Sequence, residues 1–253
     1  MTKIILVFML LITTMVASES KELIKVCYLE WGKLGGKKLP NKGFAPDVTL
    51  TVLKEAGYDA TIDILPWSRC LKSVEVGRHD MVATFWIGEE QKKTYQYFEP
   101  QSLDYINFIT LKDYKAKSGK LEDFYGKSIG VMRDAGGIEN FFSQRDKFKV
   151  FDVNSEKQLI NLLKIGRIDA IVTDSVPLLS LVDNQFPELV GKLKVWDPEI
   201  QLNISAPAVA HSHPKKDELM KRFNTAFVKL MKQDFYKELF QRHNLTVKYK
   251  KYN

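Results

Sequence analysis

The sequence predicts an α/β protein built from two similar lobes that face each other across a cleft. Three observations predict it. Strands and helices alternate in two successive runs, a short Gly-Arg-x-Asp motif recurs at matching places in both runs, and two amphipathic helices end the chain. Alternation of this kind implies mostly parallel sheets with helices on their faces.

In order along the chain, Leu23 to Leu29 has the apolar character of a buried strand. Pro46 to Ala56 spaces its apolar residues as a helix, and Gly57 stops it. Ala60 to Leu65 is a second strand ended by Pro66, Ser68 to Val76 a helix stopped by Gly77, and Asp80 to Thr84 a third strand. After an extended segment, Asp104 to Leu111, the pattern starts again with the strand Ser128 to Met132. The helix Ile138 to Gln144, the strand Lys149 to Val153 and the helix Glu156 to Ile165 follow, the last stopped by Gly166. Asp169 to Thr173 is a strand, Val176 to Val182 helical, Leu193 to Trp196 strand-like and Ile204 to Ala210 extended. Amphipathic helices at about Lys216 to Met231 and Phe235 to His243 close the chain.

Gly77-Arg78-His79-Asp80 and Gly166-Arg167-Ile168-Asp169 share one grammar. The glycine ends a helix and the Asp opens the next strand. The final helices need a sheet to cover, and the first run is otherwise short of elements. The first lobe is therefore expected at 19–104 and 205–253, discontinuous, with the second at 105–204. Open α/β sheets bind ligands outside the carboxyl ends of their strands, which places the functional loops in the cleft.

Composition sets the outer limits. The chain has 253 residues, 45% of apolar types and 27% charged, which excludes disorder, collagen and a disulfide-built miniprotein. Two cysteines are too few for a zinc ribbon or a ferredoxin-type cluster. Lys3, the apolar run Ile4 to Ile12 and the small residues before Glu19 make the three parts of a secretory signal peptide over residues 1–18. Val16 and Ser18 suit the cleavage site, and the run is shorter than the roughly twenty residues of a membrane span. An uncleaved anchor is the rival reading. Export disfavours cytosolic cofactor chemistry and most nucleic-acid roles. The formal net charge of +7 loses one unit with Lys3 and reads as an ordinary basic surface.

Enzyme signatures are absent: there is no G-x-S-x-G elbow, no H-E-x-x-H and no Walker-type phosphate loop. Gly35-Gly36 before Lys37-Lys38 has the wrong spacing for phosphate. Gly136-Gly137 precedes a helix whose N-terminal amides could hold an anion. His211 and His213 share a strand-like face but lack nearby carboxylate or cysteine ligands, so neither a metal nor a cofactor is expected. The lysines are scattered, without the aromatic-interleaved stripe of a nucleic-acid surface, and the tail Lys248 to Tyr252 reads as a solvated terminus. Trp31, Trp67 and Trp86 follow the first three strands, where three large rigid faces suit a binding wall and can stack on a cation. Tyr105 lies in the crossing to the second lobe. Arg133 follows a strand and could grip a carboxylate, or make a surface ion pair. Asp174 follows the strand ending at Thr173, where it could hold a ligand or simply cap the next helix.

With these residues in view, the chain resembles the bacterial extracellular solute-binding proteins of family 3, the two-lobed receptors of polar amino-acid ABC transporters. The likeness rests on Gly43-Phe44-Ala45-Pro46-Asp47, Leu65-Pro66-Trp67-Ser68-Arg69, Gly77 to Asp80, and Glu90-Gln91-Lys92-Lys93 followed by Tyr97-Phe98-Glu99-Pro100. It continues through Leu121 to Val131 and Gly166 to Asp174, spanning about residues 23 to 243. The resemblance implies a type II periplasmic-binding-protein-like fold with two hinge crossings. It also implies a monomer in the periplasm, a small-molecule solute and a permease partner, with no catalysis. Two departures bear on the solute. Gln91 stands where such receptors carry the Arg that grips an α-carboxylate, and Trp86 stands near a small hydroxyl position. Asp174, which binds the ligand's amino group in the family, is retained. A small polar, aromatic or cationic solute is expected, held by Trp31, Trp67, Trp86, Gln91, Tyr105, Arg133 and Asp174. Alternatives are a sensor module for a chemoreceptor or histidine kinase, and a cyclohexadienyl-dehydratase-like enzyme. Cys27 and Cys70 would then be neighbours in an oxidising compartment, either bridged or as two buried thiols.

Overall fold

The computed structural model describes residues 21–245; the signal segment expected at 1–18 and the basic tail at 248–252 lie outside the described residues. In chain order the first run comprises β1 (Leu23–Tyr28), α1 (Phe44–Glu55), β2 (Asp59–Ile64), α2 (Trp67–Glu75), β3 (Met81–Trp86) and β4 (Tyr95–Tyr97). The long strand β5 (Ser102–Leu111) leads into β6 (Ser128–Met132), α3 (Glu139–Phe142), β7 (Lys149–Val153), α4 (Glu156–Lys164) and β8 (Ala170–Asp174). Then come α5 (Ser175–Gln185), β9 (Leu193–Val195), a second long strand β10 (Gln201–Ala210), and the closing helices α6 (Lys216–Met231) and α7 (Phe235–Arg242).

The strands form one hydrogen-bonded path, β2-β1-β3-β10-β5-β8-β6-β7, with β4 on β10 and β9 on β5. β1 runs parallel to β2 and β3, and β6 runs parallel to β7 and β8. The two long strands join these groups. β5 and β10 pair antiparallel from Ser102↔Ser205 to Ile106↔Gln201. Beyond that stretch β10 continues along β3 and β4, while β5 continues along β8 and β9. A pair of strands shared in this way is a hinge, because each half of the molecule hangs from it by backbone hydrogen bonds.

The repeated motif makes the same clamp in both halves. Asp80 donates its backbone N–H to Lys25 O at 2.7 Å, and its carboxylate accepts Lys25 N–H at 2.7 Å. Asp169 and Ser128 repeat this at 2.7 and 2.8 Å. Each Asp therefore ties its own strand to the first strand of its sheet. Gly77 and Gly166 both have φ +70°, a left-handed turn open to glycine at little cost.

Each half has its own apolar core. The first gathers Val26, Tyr28, Val52 and Met81 with Val209 and Phe223, so α6 covers the sheet made by the chain's beginning. The second gathers Ile106, Phe108, Phe124, Ile129 and Phe141. Side chains of this kind contribute roughly 1.5–3 kcal/mol each when fully buried. Cys27 in β1 and Cys70 in α2 form a disulfide within a packed group that includes Trp67 and Phe85. The bridge joins the helix that begins at Trp67 to the central strand of its sheet.

One local expectation differs from what is found. The helix expected at Ile138 to Gln144 is a single turn, Glu139–Phe142, because Gly136, Gly137 and Ile138 run as a loop drawn against Gln91 and Trp86. β4 has too short a run, three residues, to show any periodicity.

Candidate functional site

Two adjoining cavities lie where the halves meet. The smaller, about 60 Å³, is walled by Trp31, Trp67, Phe85 and Trp86, with Glu156 and Thr173 from the second half. The larger, about 220 Å³, is lined at its inner end by Tyr28, Trp31, Asp104, Tyr105 and Asp174, and it runs outward between α1, α6 and α7. Trp31 and Thr84 line both, so they form the partition between them. The indoles are locked in place: Trp31 meets Trp86 edge-on at 5.6 Å between ring centroids, and Trp67 meets Phe85 in the same manner at 5.6 Å. Such contacts preorganise the wall.

Each cavity carries buried acid. Glu156, the first residue of α4, is only 2% exposed. Its Oε1 accepts from Trp31 Nε1 at 3.0 Å and Thr173 Oγ1 at 3.5 Å, while Oε2 has no hydrogen-bond partner among the described residues. Burial raises its pKa to about 8, against the weaker opposing effect of those two donors. Asp174 is 3% exposed; its Oδ1 caps α5 by accepting Val176 N–H at 2.8 Å. Among the described residues its Oδ2 takes part in no hydrogen bond. Asp104, 6% exposed, accepts on Oδ2 from Trp86 Nε1 at 2.7 Å and from the Ser205 hydroxyl, and on Oδ1 from the Ser102 hydroxyl at 3.3 Å. Asp174 stands opposite Ile106 in the sheet, and Asp104 lies two residues along β5 on the same face, so the two carboxyls are diagonal neighbours. Burial lifts both aspartates above the usual carboxylate range, and for Asp174 the charge of Asp104 adds to it.

Tyr28 is fully buried among the three carboxyls, and burial with their charge holds its phenol well above its ordinary pKa. Among the described residues its hydroxyl and that of Thr84 have no hydrogen-bond partner. Among the described residues, no Lys, Arg or His lines either cavity. Buried carboxyls without counter-charge and idle hydroxyls beside them are costly unless something polar joins them. The chemistry this arrangement suits is the binding of a cation.

The halves touch directly around the cavities. Trp31 and Glu156 are one such contact, and Trp67 Nε1 donates to Asp134 O at 3.1 Å while Ser68 hydrogen-bonds the Asp134 carboxylate. Glu89 N–H reaches Glu139 Oε1 at 3.3 Å. Glycines permit the closest approaches. A Cβ on Gly32 (φ +51°) would fall 2.2 Å from Pro177 O, and one on Gly137 would fall 2.6 Å from Trp86 Cβ. The double glycine at 136–137 thus serves close packing. The helix after it has one turn and offers no anion site.

Of the residues singled out in the sequence, Trp31, Trp67 and Trp86 line the smaller cavity, and Asp174 lines the larger. Tyr105, 44% exposed, lines the larger cavity at its rim. Gln91 lines neither, but its carboxamide rests against Gly88 and Gly136 at the junction of the halves. Arg133 lines neither; it is exposed and bonds Asn154 Oδ1 through Nε at 3.0 Å. Asp174 both caps a helix and borders a cavity. His211 bonds Lys92 O and His213 bonds Asp80, both away from the cavities. Sequence reasoning missed Glu156 and Asp104. Asp104 carried a weak signal, a carboxylate inside an apolar strand. Glu156 carried none, because an acid one residue after an N-capping serine is ordinary at a helix start.

A family model for bacterial extracellular solute-binding proteins, family 3, matches residues 36–246. Among curated proteins, the L-cystine-binding protein TcyJ of Escherichia coli strain K12 is 26% identical over 141 residues, which is 55% of this chain and 53% of that protein. The match therefore spans about half of that relative's length. An amino acid ABC transporter substrate-binding protein, AbpA, from Streptococcus pneumoniae, solved bound to L-arginine, superposes with a TM-score of 0.72 at 16% identity, covering 89% of this chain and 97% of that one. A histidine kinase sensor domain with similarity to periplasmic binding proteins superposes with a TM-score of 0.75 at 17% identity, covering 88% and 96%. These likenesses show the fold, that of type II periplasmic binding proteins.

Proposed function

This chain belongs to the bacterial extracellular solute-binding proteins, family 3, and we propose that it captures a small organic cation between its two halves and delivers it to a membrane ABC permease. The proteins it resembles are binding proteins, and the reading is of capture without catalysis. One observation carries the choice of solute: buried carboxyls line both cavities, and among the described residues no basic side chain does. The streptococcal relative holds L-arginine, which pairs a guanidinium with a carboxylate. Here Gln91, a neutral amide, stands where receptors of this kind carry the carboxylate-gripping Arg. The cavities thus keep partners for positive charge and lack one for a carboxylate.

In this reading Asp174 accepts from the cationic nitrogen, and Trp31, Trp67 and Trp86 offer π faces, each worth roughly 0.5–2 kcal/mol to an ammonium. Tyr105 flanks the entrance. The solute enters while the halves stand apart on the β5–β10 hinge, and closure sets Glu156 against Trp31 and Asp134 against Trp67. Closure follows from binding because the cation meets its full set of acceptors only when the halves meet. Residues 1–18 would direct export and be removed before Glu19, which puts the receptor in the periplasm as a monomer. Presentation of the closed form to a sensor protein is the second reading, since a histidine kinase sensor domain shares the fold.

A thermal-shift panel of the protein lacking residues 1–18 tests the choice of solute, since ligands of the native state raise its midpoint. Alkylamines, quaternary ammoniums, lysine, arginine, cystine and dicarboxylates form the panel. Carboxylate-free amines are expected to give the largest shifts, and Asp174→Ala to remove them. Stabilisation confined to zwitterionic amino acids or to organic acids would sink the reading.

A further inference from the structure

The two cavities do not share their free acceptors. Glu156 has an idle Oε2 and borders only the smaller cavity, whereas Asp174, whose Oδ1 caps α5 and leaves Oδ2 to accept, borders only the larger. Trp31 and Thr84 stand between them. Asp104 already has both oxygens engaged, Oδ2 by Trp86 and Ser205 and Oδ1 by Ser102, and it adds its field to the larger cavity. One ammonium of ordinary size satisfies one of these poles and leaves the other a buried, unpaired carboxyl. The path between the poles is apolar, along the indole of Trp31.

We propose that the solute carries two cationic nitrogens, one held by Glu156 inside the tryptophan-walled cavity and one by Asp174, joined by a short alkyl chain lying along Trp31: an α,ω-diamine. This rests on the reading of the site as a cation receptor and goes further, because it adds Glu156 as a binding residue and fixes the number of charges. Three observations converge on it. Glu156 is almost wholly buried, with one oxygen oriented by the opposite half and the other idle. Thr84, which lines both cavities, has an idle buried hydroxyl available to an N–H at either pole. The smaller cavity is walled by three indoles and a phenylalanine, the environment in which an ammonium beside a carboxylate is held by both charge and π face. At about 60 Å³ it has room for several waters, each needing roughly 10–15 Å³ of such space, and hence for a terminal ammonium with its first methylenes.

Protons follow from the same arrangement. Glu156, facing Tyr28, Asp104 and Asp174 with no base beside it, is largely protonated at pH 7 in the free receptor. An arriving ammonium ionises it, so the receptor gives up a proton for the second charge it binds.

The test is calorimetry of the protein lacking residues 1–18 with 1,4-diaminobutane, 1,5-diaminopentane, the monoamines n-butylamine and n-pentylamine, and 5-aminopentanoate, in two buffers of different ionisation enthalpy. The better diamine is expected to bind about 10- to 100-fold tighter than the monoamine of equal length, the worth of one charge-assisted hydrogen bond. It is also expected to release more protons at pH 7 than the monoamine. Glu156→Gln should collapse the diamine-to-monoamine ratio to within threefold and abolish the extra proton release. The proton count in the unsubstituted protein needs no variant, so it stands even if Glu156→Gln folds poorly. Equal affinity for the diamine and the monoamine would overturn the two-pole site while leaving the cation receptor intact. Binding of 5-aminopentanoate in preference to either amine, or of none of the five, would overturn both.

Discussion

Glu156 makes a measurable prediction about stability that needs no ligand. An unfolded glutamate titrates near 4.5, whereas in the fold burial moves this one to about 8. A carboxyl whose folded pKa lies above its unfolded value binds its proton more tightly in the native state. Its contribution is therefore fully present below pH 4.5 and is lost as pH rises through 8. At about 1.36 kcal/mol per pH unit, the loss between pH 5 and pH 8 comes to about 3.5 kcal/mol. Glu156→Gln keeps the shape and the acceptor for Trp31 but removes the titration. The variant is expected to be more stable than the parent at pH 8 by about 3–4 kcal/mol, which for a chain of this size raises the melting midpoint by about 10 °C. At pH 5 the two should agree within about 1 kcal/mol. Asp104 and Asp174 titrate in the same sense and are common to both proteins, so the difference between them isolates Glu156. Paired urea unfolding curves at pH 5, 6, 7 and 8 would decide it. A difference that stays constant across those pH values, or a variant less stable than the parent at pH 8, would refute the argument.

Two further outcomes follow from the packing. Gly32→Ala would place a Cβ 2.2 Å from the backbone carbonyl of Pro177 in the opposite half, where no side chain can give way. We expect it to hold the halves apart, lowering solute affinity at least tenfold and enlarging the radius of gyration seen by X-ray scattering, while stability falls by only about 1 kcal/mol; unchanged affinity would show that the halves meet elsewhere. Cys27→Ser with Cys70→Ser opens a loop of 43 residues and should cost about 2–4 kcal/mol, read from urea midpoints. Because the bridge seats the helix that begins at Trp67, the same pair of changes should weaken binding more than a distant destabilising substitution of equal cost.

Much of the fold was legible because it is built from local rules. Periodicity marks the helices, and glycines stop them. The recurrence of Gly-Arg-x-Asp proved to be one clamp used twice, with Asp80 on Lys25 and Asp169 on Ser128 at nearly equal distances. The pairing of β5 with β10 was less visible, since two extended segments a hundred residues apart carry no mark of each other. The one-turn α3 was misread for a related reason. Ile138 to Gln144 has the composition of a helix, but Gly136 and Gly137 must first pass beneath Gln91 and Trp86 from the other half.

The same logic separates Arg133 from Glu156. Both lie at the carboxyl ends of strands in the second half, and a charged fork on such a loop looks like the better ligand for a solute. Arg133 nevertheless points to Asn154 at the surface, while Glu156 is closed over by an indole 125 residues away in the chain. Read along the chain alone, the acid at the start of α4 is an ordinary helix-terminal carboxylate, of the kind the amides beside it stabilise. It is a buried acid, and a site, because Trp31 from the other half lies over it. A residue whose chemistry is set by the meeting of two lobes has no local signature, so Glu156→Gln should leave the isolated character of each half untouched. Its effect falls on what the halves hold between them, and tighter closure in the absence of solute is the sign to look for: removal of the protonation step should shift the free receptor toward the compact form at pH 8. If X-ray scattering at pH 8 finds the variant and the parent equally extended, Glu156 does not govern closure, and the link between its burial and the hinge is broken.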